Sequence, residues 1–391
     1  MPPHQPPTTL PYRPPRLGIL GGGQLGMMLL PECIKLGIPT AVLDPDPQCS
    51  CAAWCSNFVQ GDFRDYNTVW QFGQTVDCLT IEIEQVNADA LADLQAIGKQ
   101  VYPQPGALKT IQDKGLQKQF YAYHQLPTAN FRCYANAADI KRDIANGTLT
   151  LPFVQKLRTM GYDGKGVQVV RQTADIDLLF DAPSVIEDLV PIDKELSVIV
   201  AQDAQGHISA FAPVEMVFHQ TANLVEILQC PADISPAVAA QAEQIAIDVL
   251  RAFDLRGVLA VELFLSPDQQ IYINEVAPRP HNSGHHSIES CITSQYEQHL
   301  RSILGLPLGS TALIMPAVML NLLGSAEHQG TTAYQGLLES LAIEGAHLHL
   351  YGKRETRPFR KMGHATITAP NLEEAKQKTQ ILQNCLEIVS A

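Results

Sequence analysis

The chain has 391 residues, of which 46% are hydrophobic and 17% are charged. This composition is typical of chains that fold around hydrophobic cores, so it excludes general disorder, and the length predicts about two to three domains. Lys and Arg number 27 against 40 Asp and Glu, which gives a net charge of −13. Because so acidic a chain repels a nucleic-acid backbone, we expect no nucleic-acid partner, although a local basic cluster can still bind a small anion.

The first sixteen residues are rich in proline and predict a flexible tail over residues 1–16. They contain no apolar core of a secretory signal, and the longest apolar stretch, from Thr311, is interrupted by Pro316, so we expect no membrane span. The nine cysteines are scattered, which is typical of reduced thiols in a cytoplasmic protein. The three cysteines of residues 49–55 lack the second pair that a zinc site would need.

After the tail, the sequence predicts a βαβ unit, with a strand over 17–20, a helix over 24–35 and a second strand over 39–43. The intervening glycines, Gly21, Gly23 and Gly26, follow the G-x-G-x-x-G pattern. One interpretation is a dinucleotide site with Asp44 on the ribose, and the other is a tight strand-to-helix turn without a dinucleotide. The next predicted strand ends in Glu82 and Glu84, where open parallel sheets bind ligands. Two acids there suit a substrate that bears amines or hydroxyls.

The middle of the chain predicts a phosphate-binding hairpin. Residues 109–126 are expected to form one basic amphipathic helix, and strands are expected over 153–157 and 167–170. Between these strands lies a glycine-rich segment with Lys156 before it and Lys165 within it. Glycines let backbone amides approach phosphate oxygens and lysines neutralise charge, so the segment suits a polyphosphate; a mobile surface hairpin is the alternative.

A second hairpin carries the most informative pattern of the chain. Strands are predicted over 258–265 and 270–276, with a turn centred between residues 268 and 269. Glu262 and Glu275 then lie six and a half residues from that centre on either side, so they oppose each other on one face. Like charges opposed in this way are destabilising, and a divalent cation removes the conflict. We therefore predict a Mg²⁺ site; a solvated hairpin without metal is the alternative.

Two groups of hydrogen-bond donors follow this hairpin. A glycine-broken loop next to the carboxylates contains Arg279, His281, Asn282, His285 and His286. A basic cluster near the C-terminus contains Lys353, Arg354, Arg357, Arg360 and Lys361. The loop is typical of a reaction chamber, and the arginines of the cluster suit a phosphate monoester.

These residues together resemble the ATP-grasp superfamily and, within it, the N5-carboxyaminoimidazole ribonucleotide synthetase family. Five strings carry the resemblance: GILGGGQLG from Gly18, EIEQV from Glu82, GYDGKG from Gly161, INEVAPRPHNSGH from Ile273 and YGKRETRPFRKMGH from Tyr351. The resemblance implies a mixed α/β and α+β ATP-grasp fold in three domains. These would be an N-terminal Rossmann-like α/β substrate-binding domain over 17–108, a small lid domain over 109–187 and a C-terminal ATP-grasp domain over 188–391.

The resemblance also implies roles for individual residues. ATP-binding residues would be Lys114, Lys156, Gly161, Tyr162, Asp163, Gly164, Lys165, Gly166, Val167, Glu187, Asp188, Leu189, Val190, Glu195, His219, Asn274 and Glu275. Magnesium ligands would be Glu262, Asn274 and Glu275, and substrate-binding residues would be Gln24, Glu82, Tyr162, Asn282, Lys353 and Arg360. Catalytic residues would be Asp163, Lys165, Arg279 and His281. The chain departs from many relatives at Met27, Gln155 and His286.

The implied reaction is the ATP-dependent carboxylation of 5-aminoimidazole ribonucleotide by bicarbonate, through carboxyphosphate, in de novo purine biosynthesis. Its cofactors would be ATP and Mg²⁺, and the family implies a cytoplasmic homodimer whose product passes to a mutase of the same pathway. One alternative is another ATP-grasp ligase, such as a formate-dependent glycinamide ribonucleotide transformylase or a biotin carboxylase, and the string from Tyr351 argues against both. The other alternative is an NAD-dependent oxidoreductase, but this function would not explain the opposed Glu262 and Glu275.

Overall fold

The computed structural model describes residues 12–159, 161, 166–219 and 224–391, and four β-sheets organise this part of the chain. No helix within these ranges is both long enough and apolar enough to cross a membrane.

The N-terminal sheet is parallel and has helices on both faces. Its strands are β1 (Leu17–Leu20), β2 (Thr40–Asp44), β3 (Asn57–Gln60), β4 (Cys78–Ile81) and β5 (Gln100–Val101). Its helices are α1 (Gln24–Lys35), α2 (Tyr66–Gln74), α3 (Ala88–Ala96) and α4 (Pro105–Ile111). The strand order is β3-β2-β1-β4-β5, so the topology switches direction between β1 and β4. Ligands of open parallel sheets bind at such a switch point, and Glu82 directly follows β4 there.

The next sheet is small and antiparallel, in the order β6-β9-β7-β8. It consists of β6 (Phe131–Tyr134), β7 (Phe153–Leu157), β8 (Val167–Val170) and β9 (Ser184–Asp188), with α5 (Lys114–Tyr123) and α6 (Ala137–Ala145) beside it. The prediction of a single helix over 109–126 is wrong, because the chain breaks between α4 and α5. Asp113 causes this break, since its side chain accepts hydrogen bonds from the backbone N–H groups of Gly115 and Leu116 and so caps the start of α5.

The large sheet has nine strands, and eight of them follow the order β15-β14-β10-β12-β13-β16-β20-β18, while β11 pairs with β10. Its strands are β10 (Lys194–Gln202), β11 (Ile208–Ala210), β12 (Val214–Phe218), β13 (Val225–Cys230), β14 (Gly257–Leu265), β15 (Ile271–Ala277), β16 (Ala317–Leu323), β18 (Ala346–Leu350) and β20 (Lys361–Thr368). The long helix α7 (Pro236–Phe253) packs on β10 and β14. Their buried side chains, among them Leu196, Val198 and Val261, form the largest hydrophobic core.

The remaining elements flank this sheet. A three-stranded sheet contains β17 (Gly330–Gln335), β19 (Glu355–Thr356) and β21 (Glu387–Ser390). The helices are α8 (Ser287–Ser290), α9 (Gln295–Ile303), α10 (Leu337–Leu341) and α11 (Leu372–Cys385). Helix α9 contacts both α1 of the N-terminal domain and β14 of the large sheet, so it links the two.

The hairpin of β14 and β15 places Glu262 opposite Glu275, as predicted. The turn, however, is centred half a residue earlier than predicted, because Leu263 pairs with Ile273. The register shifts between Glu262 and Leu263, so that Asn274 is the extra residue of a β-bulge. The bulge restores the opposition of the two carboxylates.

A buried histidine, His299, forms hydrogen bonds to both the N-terminal domain and the large sheet. His299 is 1% exposed on α9, and its Nδ1 accepts a hydrogen bond from the backbone N–H of Val258 at 3.2 Å. Its Nε2 therefore carries the proton and donates to Thr80 Oγ1 on β4 at 2.8 Å. Burial lowers the pKa of His299 to about 3, so the ring stays neutral in the folded protein.

We expect His299 to make the protein less stable in acid. Because its folded pKa lies below the unfolded value of about 6.5, the unfolded chain binds more protons as the pH falls below 7. Between pH 7 and pH 5 this costs about 2 kcal/mol of the free energy of unfolding. We would measure the free energy of unfolding in urea at pH 7 and at pH 5. The decrease between the two pH values should be about 2 kcal/mol smaller in His299→Asn than in the wild type. Equal losses in the two proteins would contradict the assignment.

Candidate active site

Three lysines and a buried glutamate form one end of the site. Glu187, at the end of β9, is 4% exposed, and its carboxylate lies 3.0 Å from Lys118 Nζ and 3.2 Å from Lys156 Nζ. Burial alone would raise the pKa of Glu187, but the two lysines lower it, so the carboxylate stays charged. Lys156 also donates to Asn274 Oδ1 at 2.8 Å, and Lys114 forms an ion pair with Glu275. These lysines therefore gather positive charge beside the hairpin, as a polyphosphate site requires.

Glu262 and Glu275 are the acidic centre of the site. Burial and the charge of Glu275 raise the pKa of Glu262, whereas Lys114 lowers the pKa of Glu275. Asn274 Nδ2 lies 3.4 Å from Glu262 Oε2, so one amide and two carboxylates share the bulge. Among the described residues no group of three or more His, Cys, Asp or Glu side chains is arranged to hold a metal ion. A cation here would rest on two carboxylates, an amide oxygen and the oxygens of a bound nucleotide, which is a donor set that suits Mg²⁺.

Glu195 lies on β10 of the same sheet, next to β14. Burial raises its pKa to about 7, and the charge of Lys156 only partly offsets this shift. A carboxyl group in such a place gains a partner when a ribose hydroxyl donates to it.

The glycine loop encloses Glu82 rather than a dinucleotide. A Cβ atom at Gly23 would lie 2.5 Å from Glu82 Oε1, and Gly21, at a φ of +98°, would place one 2.9 Å from Oε2. Burial raises the pKa of Glu82 to about 7, although the positive charge of Arg279 opposes this shift. Glu82 thus sits at the switch point of the sheet as a carboxyl group that can be protonated near neutral pH.

Asp44 is not available to a ribose. The residue is 9% exposed, and its carboxylate accepts hydrogen bonds from the backbone N–H groups of Gly22 at 2.7 Å and Asp46 at 2.8 Å. Cys49 Sγ covers Gly22 so closely that a Cβ there would lie 2.4 Å away. The dinucleotide interpretation of the G-x-G-x-x-G pattern is therefore wrong, and the tight-turn interpretation is correct.

Arg279 and His281 connect the switch point to the acidic centre. Arg279 Nη2 lies 2.8 Å from Glu84 Oε1 and 2.9 Å from Oε2, so Glu84 orients the guanidinium. His281 Nε2 lies 3.6 Å from Glu262 Oε1, and its Nδ1 lies 2.9 Å from Ser283 Oγ. Arg279 and His281, two of the five predicted reaction-chamber residues, therefore lie between Glu82 and Glu262.

The other two histidines of the same predicted set are held inside the protein. His285 is 0% exposed and its Nδ1 lies 3.0 Å from the hydroxyl of Tyr296. His286 is 1% exposed and its Nδ1 lies 3.1 Å from the backbone oxygen of Ser283.

The C-terminal basic cluster meets the N-terminal domain. Lys353 Nζ donates to Gln24 Oε1 at 2.9 Å, so these two predicted substrate residues lie together. Arg360 Nη1 donates to the backbone oxygen of Glu355 at 2.6 Å. Burial and the neighbouring charge of Arg357 lower the pKa of Arg360.

Two other predicted site residues, His219 and Asn282, contact side chains of the C-terminal part of the chain. His219, predicted on the nucleotide, packs its ring 5.4 Å from the ring of Phe359. Asn282 exchanges two amide hydrogen bonds with Asn321, at 2.8 and 2.9 Å. A ligand of Asn282 would have to use the remaining hydrogen-bonding capacity of its side chain.

For some of the predicted ATP-binding residues the structure shows no contact that bears on ATP binding. Tyr162, Asp163, Gly164 and Lys165 lie outside the described residues. Asp188 accepts a hydrogen bond from Asn130 Nδ2 at 2.8 Å, and Leu189 and Val190 directly follow β9. Gly161, Gly166 and Val167 border the hairpin that was predicted to cover phosphate. The proposed roles of all these residues stay predictions, as do the domain boundaries.

Lys118 was not predicted from the sequence as a residue of the site. This lysine is 2% exposed, and burial lowers its pKa to about 8, although Glu187 opposes the shift. It also donates to Thr128 Oγ1 at 2.6 Å, and Thr128 donates in turn to the backbone oxygen of Ile273 on β15. Its spacing of four residues from Lys114 was a signal, because residues i and i+4 share one face of a helix.

Comparisons with known proteins agree with this geometry. Three family models match: an ATP-grasp domain over residues 119–296, a ribonucleotide synthetase preATP-grasp domain over 15–112, and a phosphoribosylaminoimidazole carboxylase C-terminal domain over 317–378. The N5-carboxyaminoimidazole ribonucleotide synthase of Synechococcus elongatus is 38% identical over 94% of this chain and 93% of that protein. The chain spans only 66% of the longer phosphoribosylaminoimidazole carboxylase of Vigna aconitifolia, to which it is 36% identical.

Solved structures give the same result. N5-carboxyaminoimidazole ribonucleotide synthetase from Thermotoga maritima has a TM-score of 0.88 and 37% identity, covering 96% of this chain and 100% of that one. The Aspergillus clavatus synthase in complex with ADP and 5-aminoimidazole ribonucleotide has a TM-score of 0.86 and 33% identity, covering 95% of this chain and 98% of that one.

The fold and the matching domains define the chain as an ATP-grasp enzyme, an ATP-dependent ligase. Its similarity over nearly the whole of both chains shows that it belongs to the N5-carboxyaminoimidazole ribonucleotide synthase family. The predicted ATP-grasp fold and ligase class are therefore confirmed.

Proposed function

We propose that this chain carboxylates 5-aminoimidazole ribonucleotide with bicarbonate and ATP, giving N5-carboxyaminoimidazole ribonucleotide, ADP and phosphate in de novo purine biosynthesis. One observation carries the proposal. The opposed pair Glu262 and Glu275 has lysines on one side and, on the other, a chamber of Arg279 and His281 that opens toward Glu82. The family and the ligands bound in the Aspergillus clavatus structure support the identity of the nucleotide and the ribonucleotide.

ATP would lie across the lysine end of the site. We assign its phosphates to Lys114, Lys156, Lys165 and the 161–167 segment, its adenine to Glu187–Val190, its ribose to Glu195, and a further contact to His219. Glu262, Asn274 and Glu275 would hold Mg²⁺, which, when bound, neutralises charge on the phosphates. The opposed carboxylates support this assignment, because a cation relieves their repulsion.

The chemistry would proceed in two steps within the chamber. A bicarbonate oxygen attacks the γ-phosphorus, the bond to the ADP oxygen breaks, and carboxyphosphate and ADP form. Lys114 and Lys156 stabilise the negative charge on the transferred group, and Arg279 holds carboxyphosphate. The exocyclic amine of the ribonucleotide then attacks the carboxyl carbon, either of carboxyphosphate or of CO₂ released from it, and phosphate leaves. Asp163 or His281 accepts the amine proton.

The ribonucleotide would lie between the N-terminal domain and the C-terminal basic cluster. Lys353 and Arg360 suit its phosphate, because both are cations of the C-terminal basic cluster in this acidic chain and Lys353 Nζ donates to Gln24. Glu82 would accept a hydrogen bond from the amine or a hydroxyl of the substrate. Tyr162 and Asn282 complete the proposed set of substrate-binding residues.

Three further features belong to this proposal. The product would pass to a mutase, and the enzyme would work in a reducing compartment such as the cytoplasm, which the nine free cysteines support. It would act as a homodimer. An exposed apolar patch formed by Ile292, Ile314 and Met315 is a candidate dimer face, since Ile292 and Ile314 lie on neighbouring paired segments.

The proposal is tested by measuring ADP release from ATP with Mg²⁺. Bicarbonate and 5-aminoimidazole ribonucleotide are added separately and together, and the N5-carboxylated product is measured as well. We expect full turnover only with both substrates. Turnover that ignores this ribonucleotide but follows glycinamide ribonucleotide plus formate would replace the proposal by the sibling ligase.

A further inference from the structure

A buried glutamine holds the backbone of the reaction-chamber loop. Gln295 is 0% exposed, and its Oε1 accepts a hydrogen bond from the backbone N–H of His281 at 2.9 Å. Its Nε2 donates to the backbone oxygen of the same residue at 2.7 Å. The side-chain amide therefore pairs with both backbone groups of His281, as a neighbouring strand would. The same Nε2 lies 3.3 Å from His285 Nδ1.

The ring of His281 is fixed independently of its backbone. Its Nδ1 lies 2.9 Å from Ser283 Oγ, and Ser283 Oγ lies 2.8 Å from Ser197 Oγ on β10. With the ring held at Nδ1, Nε2 faces Glu262 Oε1 at 3.6 Å. The orientation of His281 therefore depends on two supports, the serine pair at the ring and Gln295 at the backbone.

Gln295 itself is anchored rigidly. It is the first residue of α9, whose start is capped by Ser294 Oγ accepting from the backbone N–H of Glu297 at 3.1 Å. Its own N–H donates to Ser287 Oγ at 2.9 Å. A Cβ at Gly284 would lie 2.4 Å from Gln295 Oε1, so the loop needs glycine there to approach the amide this closely.

We propose that Gln295 is a positioning residue for the carboxylation step. Helix α9 packs on both α1 and β14, so its first residue has a fixed position. The hydrogen bonds of Gln295 therefore hold His281 in place between the proposed ribonucleotide and the acidic centre. The inference rests on the proposed function. Buried amides and carbonyls must be paired, so the loop keeps this conformation only while the amide satisfies both backbone groups.

The same helix contains a matched control. Gln298 is also 0% exposed, and its amide pairs in the same way with Gly309, donating to its oxygen at 3.0 Å and accepting from its N–H at 2.8 Å. Gly309 lies outside the proposed site. Replacing either glutamine by methionine, which has a similar volume and no amide, removes the same number of backbone partners. The two variants therefore differ only in the loop that loses its hydrogen bonds, which is the loop of His281 in one and the loop of Gly309 in the other.

The test compares Gln295→Met with Gln298→Met in the full-length chain, using N5-carboxylated product per folded molecule. We expect Gln295→Met to lower kcat by about 10- to 100-fold with the KM for ATP changed less than about twofold, because misplaced reacting groups cost rate while the nucleotide contacts remain. Gln298→Met should lose comparable thermal stability but keep kcat within about twofold. Equal kcat values in the two variants, whether both high or both low, would overturn the inference.

Two further measurements keep the test decisive. If Gln295→Met does not fold, Gln295→Glu and Gln298→Glu replace the methionine pair. An ionised glutamate keeps the size and an acceptor for the backbone N–H but has no N–H to donate to the backbone oxygen, so the same difference in kcat is expected. If the wild type and Gln298→Met both form no product from 5-aminoimidazole ribonucleotide, the proposed function fails, and the inference fails with it. Failure of the inference alone leaves the wild type active.

Discussion

Replacing Glu275 by glutamine should lower ADP formation by at least about 100-fold while the protein still folds. The change removes one of the two carboxylate charges proposed to hold Mg²⁺ and takes the charged partner from Lys114. It also ends the opposition of Glu275 with Glu262, which favours folding, so the stability of the fold should change little. ADP release is measured with saturating ATP, bicarbonate and ribonucleotide, and folding is checked by circular dichroism.

The control for this variant is Glu215→Gln. Glu215 lies on β12 and pairs with Lys194 at 2.9 Å, so it too is a glutamate paired with a lysine in the large sheet. It neighbours Leu196 of the hydrophobic core, whereas Glu195 neighbours Met216, which places Glu215 on the opposite face of the sheet from Glu195. We expect it to keep wild-type turnover. In addition, thermal shifts with ADP should respond to Mg²⁺ in the wild type and in Glu215→Gln but not in Glu275→Gln. Wild-type ADP release by Glu275→Gln would contradict the metal role.

The opposed carboxylates show why part of the site could be predicted from the sequence. Strand periodicity and turn residues fix which face each side chain occupies, and the expected opposition of Glu262 and Glu275 requires only a hairpin. The predicted centre of the turn was wrong by half a residue, and the bulge at Asn274 compensated for the error. A bulge has no strong local sequence signal. The pairing of Glu262 with Glu275 was therefore predicted correctly, whereas the pairing of the residues between them and the turn was predicted one residue out of register.

Residues whose role depends on tertiary contacts could not be predicted in this way. Gln295 is a polar residue at a helix start, and nothing local shows that His281 folds back onto its amide. The dinucleotide pattern misleads for the same reason, since only the folded chain places Cys49 over Gly22 and turns Asp44 to the backbone. The break between α4 and α5, in contrast, had a local signal in the capping residue that the helical periodicity obscured.

The second large effect is expected at Arg279. Replacing Arg279 by methionine should lower product formation by at least about 100-fold and leave the KM for ATP within about twofold, because the guanidinium is proposed to hold carboxyphosphate rather than ATP. Arg279→Lys should restore only part of the rate, since lysine keeps the charge but cannot form the two-pronged contact with a planar carboxyl group. Product and ADP are measured together, so that ATP hydrolysis without carboxylation is detected.

A loss of activity in Arg279→Met could also arise from an unpaired Glu84 in the folded protein, because breaking a partly buried ion pair destabilises more than removing both partners. The double variant Arg279→Met with Glu84→Gln separates the two effects. It should regain most of the thermal stability lost by Arg279→Met but none of the activity. Arg301→Met serves as a second control, since Arg301 pairs with Glu297 on α9 and is expected to leave kcat unchanged. Recovery of carboxylation in the double variant would show that Arg279 acts only by balancing Glu84, and the proposed contact with carboxyphosphate would then be wrong.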